Sequence, residues 1–146
     1  LLDGLDALAE QAEVVFPVHP RTSAAIAEAG LSGRWQRIHM VQPLPPSQFM
    51  ALEAGATLLV SDSGGVQEEA CFLRRPLLVL RDSTERPELL DGWCRLLGDQ
   101  DPAVAIDRAW ADARQWGADL AIRQLPYPGE SASSVIAAEI NRRWPA

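Results

Sequence analysis

The stretch Thr57-Leu58-Leu59-Val60-Ser61-Asp62-Ser63-Gly64-Gly65-Val66-Gln67-Glu68-Glu69-Ala70 changes period halfway along. Thr57 to Val60 is a continuous apolar run of the kind found in a strand buried on both faces. Ser61 to Gly65 is a turn of small residues, and beyond it Val66, Ala70 and Leu73 recur at helical spacing. A strand that passes through a tight turn into a helix is one unit of a parallel sheet covered by helices. The same unit recurs on both sides. Upstream, Leu1 to Gln11 has helical spacing, Val14 to Val18 reads as a strand ending at His19-Pro20, and Thr22 or Ser23 is placed to cap a helix that Gly30 ends. Arg37 to Val41 reads as a second strand, Pro43 to Pro46 force a loop, and Ser47 caps a helix through Ala54. Downstream come a strand at Leu77 to Leu80 and a short one at Cys94 to Leu97. Helices follow over Pro102 to about Leu120 and Ser131 to about Trp144, with a Pro/Gly loop between them. The expected fold class is α/β, a doubly wound, Rossmann-like and mostly parallel sheet forming a single domain over residues 1–146.

Composition narrows the function. The formal net charge is −7 and no basic stripe interleaved with aromatics is present, which argues against nucleic acid as a partner. A small anion remains accessible through local devices, such as backbone N–H groups and one or two arginines. No apolar run approaches the roughly 18–20 residues of a membrane span, so no membrane partner is expected. With no export signal and no initiator Met, the chain is expected to begin inside a longer, cytoplasmic gene product. Cys71 and Cys94 lack CxxC or metal-ligand spacing, and the two histidines stand apart from any carboxylate cluster, so neither a metal nor a cofactor is expected.

Ligands of doubly wound sheets bind at the carboxyl ends of the strands, which directs attention to the segments that follow them. Gly64 and Gly65 let the backbone turn tightly and present bare N–H groups beside the positive end of a helix, and the Ser63 hydroxyl adds a donor; a plain capped turn explains the same residues equally well. Glu69 adjoins the buried stripe and the turn, whereas Glu68 is expected to point elsewhere; both also suit the helix dipole. In Arg81 to Glu88, Arg86 can form charge-assisted bonds to a diphosphate, although a solvated loop with an Arg86–Glu88 ion pair accounts for it more simply. A lone His such as His19, at the end of a strand, is more often a hydrogen-bonded structural residue than a catalyst, although an imidazole there suits proton transfer or phosphate contact; His39 is expected to be structural.

Together these segments resemble one family. Phe16-Pro17-Val18-His19-Pro20-Arg21-Thr22, Pro43-Leu44 with Phe49, the string Ser61 to Ala70, and Thr84-Glu85-Arg86-Pro87-Glu88 occur in the order and spacing of the UDP-N-acetylglucosamine 2-epimerases. The likeness is close over residues 10–98, and Pro126-Tyr127 with Gly129 echoes a later loop. The resemblance implies the C-terminal half of a GT-B fold, a UDP-binding domain whose N-terminal companion is not in this chain. It implies interconversion of UDP-GlcNAc and UDP-ManNAc by elimination and re-addition of UDP, within cell-envelope polysaccharide biosynthesis, the chain being inactive alone. By position, Ser63, Gly64 and Gly65 would hold the diphosphate, Glu69 the ribose hydroxyls, Leu44 and Phe49 the uracil, and Arg86 the phosphate side. His19 would face the interdomain cleft or an effector, and no catalytic residue is assigned. The implied partners are UDP, a UDP-N-acetylhexosamine, the N-terminal domain and, as a candidate, a second copy in a homodimer. A hydrolysing relative, a GT-B glycosyltransferase fragment and a non-catalytic nucleotide-sugar module stand as alternatives.

The chain departs from the family pattern in places. Arg74 occupies a position where a helix-ending Gly, with positive φ, is usual. Cys71 replaces a Pro and Pro46 an aromatic, and the segment Leu89 to Trp93 is about one residue short. The family's first strand of this domain precedes residue 1, so a middle strand of the sheet is expected to be lacking.

Overall fold

The computed structural model describes residues 1–127 and 131–144. Its elements in chain order are α1 (Leu2–Leu8), β1 (Val15–Pro17), α2 (Pro20–Glu28), β2 (His39–Val41), α3 (Pro46–Gly55), β3 (Leu59–Ser61), α4 (Gly64–Leu73), β4 (Leu77–Val79), a 3-10 turn (Pro87–Leu89), β5 (Cys94–Leu96), α5 (Pro102–Ile122) and α6 (Ala132–Arg143). Every strand pair is parallel, as crossover helices require. The α/β class read from the sequence is the one observed. The sheet nevertheless falls into two pieces, β1-β2 and β3-β4-β5, with β1 and β3 not hydrogen-bonded to each other. Among the described residues no strand pairs with both β1 and β3.

β4 is the centre of the larger piece. Leu77, Leu78 and Val79 are 0%, 2% and 0% exposed, and their alternation builds both faces of the domain. Leu77 and Val79 meet Val66, Ala70 and Cys71 of α4, together with Leu89, Trp93, Trp116 and Leu120. Leu78 meets Ala105, Ile106 and Ala109 of α5, against which Leu5 and Leu8 of α1 pack. Burying each of the large side chains contributes about 1.5–3 kcal/mol, so β4 anchors everything that follows it.

Helix starts differ from the sequence reading where proline sets them. α2 begins at Pro20 rather than beyond Thr22 or Ser23, because Pro suits the first helical position and the His19 side chain caps the end: Nδ1 accepts the Arg21 N–H at 3.2 Å. α3 begins at Pro46 for the same reason, with Pro45 before it and no side-chain cap, so Ser47 lies inside the helix. The usual-Gly position at the end of α4 is confirmed in geometry. Arg74 has φ 56° and ψ 46°, left-handed, and its Nη1 donates to the carbonyls of Leu120 (2.7 Å) and Arg123 at the end of α5. One residue thus closes two helices.

Candidate functional site

The Ser61-to-Gly65 turn stands at the carboxyl end of β3, where α4 begins. Ser63 is the N-cap: its Oγ accepts the Val66 N–H at 3.5 Å, and its own N–H donates to Ser61 Oγ at 3.2 Å. Capping by Ser63 leaves the N–H groups of Gly64 and Gly65 directed past the helix start, where the helix dipole favours an anion. The glycines do not supply a left-handed backbone conformation. Neither has a positive φ, since both belong to the first turn of α4. What Gly64 supplies is space: a Cβ there would lie 2.6 Å from Oε1 of Glu85. At Gly65 a Cβ would find only Ser63 Oγ, at 3.7 Å, so the protein itself does not require glycine at that position.

The loop after β4 is held against this turn from α4. Gln67, 1% exposed, accepts through Oε1 from Thr84 Oγ1, and Thr84 Oγ1 in turn accepts the Arg86 N–H at 3.0 Å. Arg86 then reaches back to the helix, its Nε donating to Glu68 Oε1 at 2.5 Å. That bond, reinforced by the charge of Glu68, raises the Arg86 pKa from its ordinary value and keeps the guanidinium charged. Arg81 pairs with Glu85 at 3.0 Å across one helical spacing. Two readings from sequence are corrected here. Glu68 does not point away from the site; it holds Arg86. Arg86 pairs with Glu68 and not with Glu88, because the Gln67–Thr84 bond turns the loop toward α4.

The remaining predicted residues fall around this cluster to different degrees. Glu69 is half-buried on α4, one residue beyond Glu68. Phe49 is half-buried on α3 and packs on the main core, and Leu44 is half-buried in the loop before that helix. His19 is exposed, with its Nδ1 occupied as the α2 cap, and His39 is also exposed, its neighbour Ile38 being the buried one. Pro126 and Tyr127 are half-buried, and the Tyr127 ring stacks on Phe72 at 5.4 Å, at the far end of α4 from Ser63; Gly129 lies outside the described residues. Sequence reasoning assigned no role to Gln67 and Thr84, an amide early on the helix and a hydroxyl in a polar loop.

A broader hollow lies elsewhere, between α2 and β2, bordered by Ile26, Leu31, Trp35 and Met40. None of the predicted ligand residues borders it, and its few polar groups suit a diphosphate poorly. The turn before α4, open to solvent, offers the better chemistry. Among the described residues no group of His, Cys, Asp and Glu has the arrangement of a metal site. Cys71 and Cys94 are free, and burial pushes both thiols up to about 11, which leaves them unreactive. No helix among the described residues is long and apolar enough to cross a membrane.

Comparison with known proteins gives a consistent answer. The family model for UDP-N-acetylglucosamine 2-epimerase matches residues 1–141. The UDP-N-acetylglucosamine 2-epimerase of Methanococcus maripaludis is 41% identical over 109 residues, which is 70% of this chain and 30% of that protein. Among solved structures, the UDP-GlcNAc 2-epimerase of Methanocaldococcus jannaschii superposes with a TM-score of 0.76 at 28% identity, over 97% of this chain and 40% of that one. The Neisseria meningitidis enzyme, solved bound to UDP-GlcNAc, gives 0.74 at 28% identity over the same shares. This chain therefore spans 30% to 40% of the length of these relatives.

Proposed function

This chain belongs to the UDP-N-acetylglucosamine 2-epimerase family, and from that premise we propose that it supplies the nucleotide-binding half of an enzyme interconverting UDP-GlcNAc and UDP-ManNAc. The N-terminal domain of the same enzyme is its partner, and the cytoplasm its setting. The observation that carries this reading is the joint placement of a Ser63-capped helix start and Arg86, clamped together through Gln67, Thr84 and Glu68.

In the reaction, a base removes the C2 proton while the C1–O bond breaks and UDP departs with the bonding pair, leaving a glycal. Proton return to the opposite face of C2 and re-addition of UDP at C1 complete the epimerisation. This half acts on the leaving group. The N–H groups of Gly64 and Gly65, the Ser63 hydroxyl and the positive end of α4 stabilise the charge that develops on the diphosphate. Arg86 binds Glu68 through Nε and reaches the Glu85 carbonyl through Nη1 at 3.5 Å, so its Nη2 remains for the β-phosphate. Glu69 accepts from the ribose hydroxyls, and Leu44 and Phe49 border the uracil. The base belongs to the N-terminal domain.

Calorimetric titration of the protein with UDP and UDP-GlcNAc, repeated with Ser63→Ala plus Arg86→Ala, tests the site. Binding abolished by the double substitution is expected; unchanged binding would remove the assignment. Product analysis on the complete enzyme then tests the chemistry, since release of free ManNAc would replace epimerisation by hydrolysis.

A further inference from the structure

α3 carries a carboxyl group in an unusual place. Glu53 is 2% exposed, and neither of its oxygens has a hydrogen-bond partner among the described residues. Burying an ionised carboxylate without a partner is costly, so such a group persists as the neutral acid or finds something to share its proton with. The element packed most closely against α3 is α4. Of the charged side chains on α4 or just beyond it, Glu68 is engaged by Arg86, Arg74 by the end of α5, and Arg75 makes no hydrogen bond to Glu53. Glu69 is left. Its side chain comes near enough to act on Glu53 both by charge and by incipient hydrogen bonding, although no bond closes in this conformation. Burial first, and then Glu69, push the Glu53 carboxyl up to about 7.

We propose that Glu53 is a positioning residue of the nucleotide site: as a neutral acid it donates its proton to the Glu69 carboxylate and holds that carboxylate in place for the ribose hydroxyls. This inference rests on the nucleotide reading given above. Two neighbouring carboxyl groups cannot both ionise without repulsion, so Glu53, the buried one, keeps its proton. With Glu53 neutral, Glu69 takes the charge and is oriented by a donor from the buried side, which leaves its outer lone pairs for two hydroxyls. Once Glu53 loses its proton, two buried-side charges repel and Glu69 swings away from the core. Phe49 stands one helical turn before Glu53 on α3, so the same helix borders the uracil position and orients the ribose acceptor. Site occupancy then depends on pH near neutrality.

The test is UDP-GlcNAc affinity between about pH 6 and pH 8.5, because a diphosphate diester stays fully ionised over that range. If only the singly protonated pair binds, the apparent Kd rises about tenfold to thirtyfold across it. Glu53→Gln, whose amide donates at every pH, is expected to keep the tight low-pH affinity with a flat profile. Glu69→Gln is expected to bind weakly at all pH values. A wild-type profile that is flat, or a Glu53→Gln profile that keeps the wild-type slope, overturns the role given to Glu53. Carbon-13 titration of the glutamate carboxyls separates the two readings. A Glu53 carboxyl that titrates at about 7 with no nucleotide binding at any pH overturns the nucleotide site, and the positioning role with it. Binding without a pH slope overturns the positioning role alone.

Discussion

Replacing Arg74 by Gly is a substitution that local rules recommend and the tertiary structure opposes. At φ 56° a side chain costs roughly 1–2 kcal/mol that glycine would not incur, and glycine is the usual residue after a helix end. Against this stand the contacts of the guanidinium. Its Nη1 donates to the Leu120 and Arg123 carbonyls, and its planar head lies 5.9 Å from the Trp93 ring. Hydrogen bonds to a charged donor contribute about 1.5–3 kcal/mol each, and a cation at a helix C-terminus adds about 0.3–1 kcal/mol. Glycine also gives the unfolded chain more freedom, worth roughly 0.5–1 kcal/mol. The balance is a net loss of about 2–7 kcal/mol, with α5 frayed from Leu120 onward. Urea unfolding followed by tryptophan fluorescence should show a midpoint lowered by about 1 M or more for Arg74→Gly. Arg74→Lys should fall between, because it keeps a charged donor for the carbonyls but loses the planar guanidinium that lies near the Trp93 ring. An Arg74→Gly protein as stable as the parent would refute this account.

Other outcomes follow from the site and the core. Folding stability should carry the signature of Glu53: with its folded pKa raised to about 7, its contribution is intact below about pH 4.5 and is lost as pH rises toward 7. Each tenfold change in proton affinity is worth about 1.4 kcal/mol, which puts the full loss on the order of 3 kcal/mol. Glu53→Gln should therefore gain on the parent between pH 5 and pH 8 in urea titrations, and parallel profiles would contradict it. Gly65→Ala should leave stability within about 0.5 kcal/mol and yet weaken UDP binding, since only a ligand would meet the added methyl; Gly64→Ala should disturb Glu85 as well. Gln67→Leu should release Thr84 and loosen Arg86, weakening UDP binding by about tenfold with the fold retained, as read by calorimetry beside circular dichroism. Cys71 and Cys94 should resist a thiol reagent until the protein unfolds.

Much of the fold could be read from periodicity. Leu77-Leu78-Val79 announces a central strand because no polar residue interrupts it, and α4 and α5 show apolar spacing that matches their buried faces. Boundaries were misplaced where a cap is not one of the usual hydroxyl residues: His19 caps α2, and proline alone starts α3. The site was legible as a set of residues and less so as a geometry. Gln67 and Glu68 are adjacent on a helix and so differ by about a third of a turn, but which of them faces the core is decided by the loop that returns from β4. Nothing local to Glu53 distinguishes it from a surface glutamate; its burial comes from α3 lying on α4.

The division of the sheet has a consequence for what can lie between its two pieces. In the parallel ladders, β1 uses Val14 and Val18 and their alternates toward β2, and β3 uses Leu59 and Ser61 toward β4. The N–H and C=O groups of Val15 and Val60 are thereby turned to the opposite side, toward edges that hold no ladder among the described residues. Such edges accept a further strand. The edge of β1 is partly guarded, because Pro17 has no N–H to offer. That of β3, with Leu59-Val60, carries no such guard, so of the two facing edges it is the one with a full set of backbone groups for a further parallel strand.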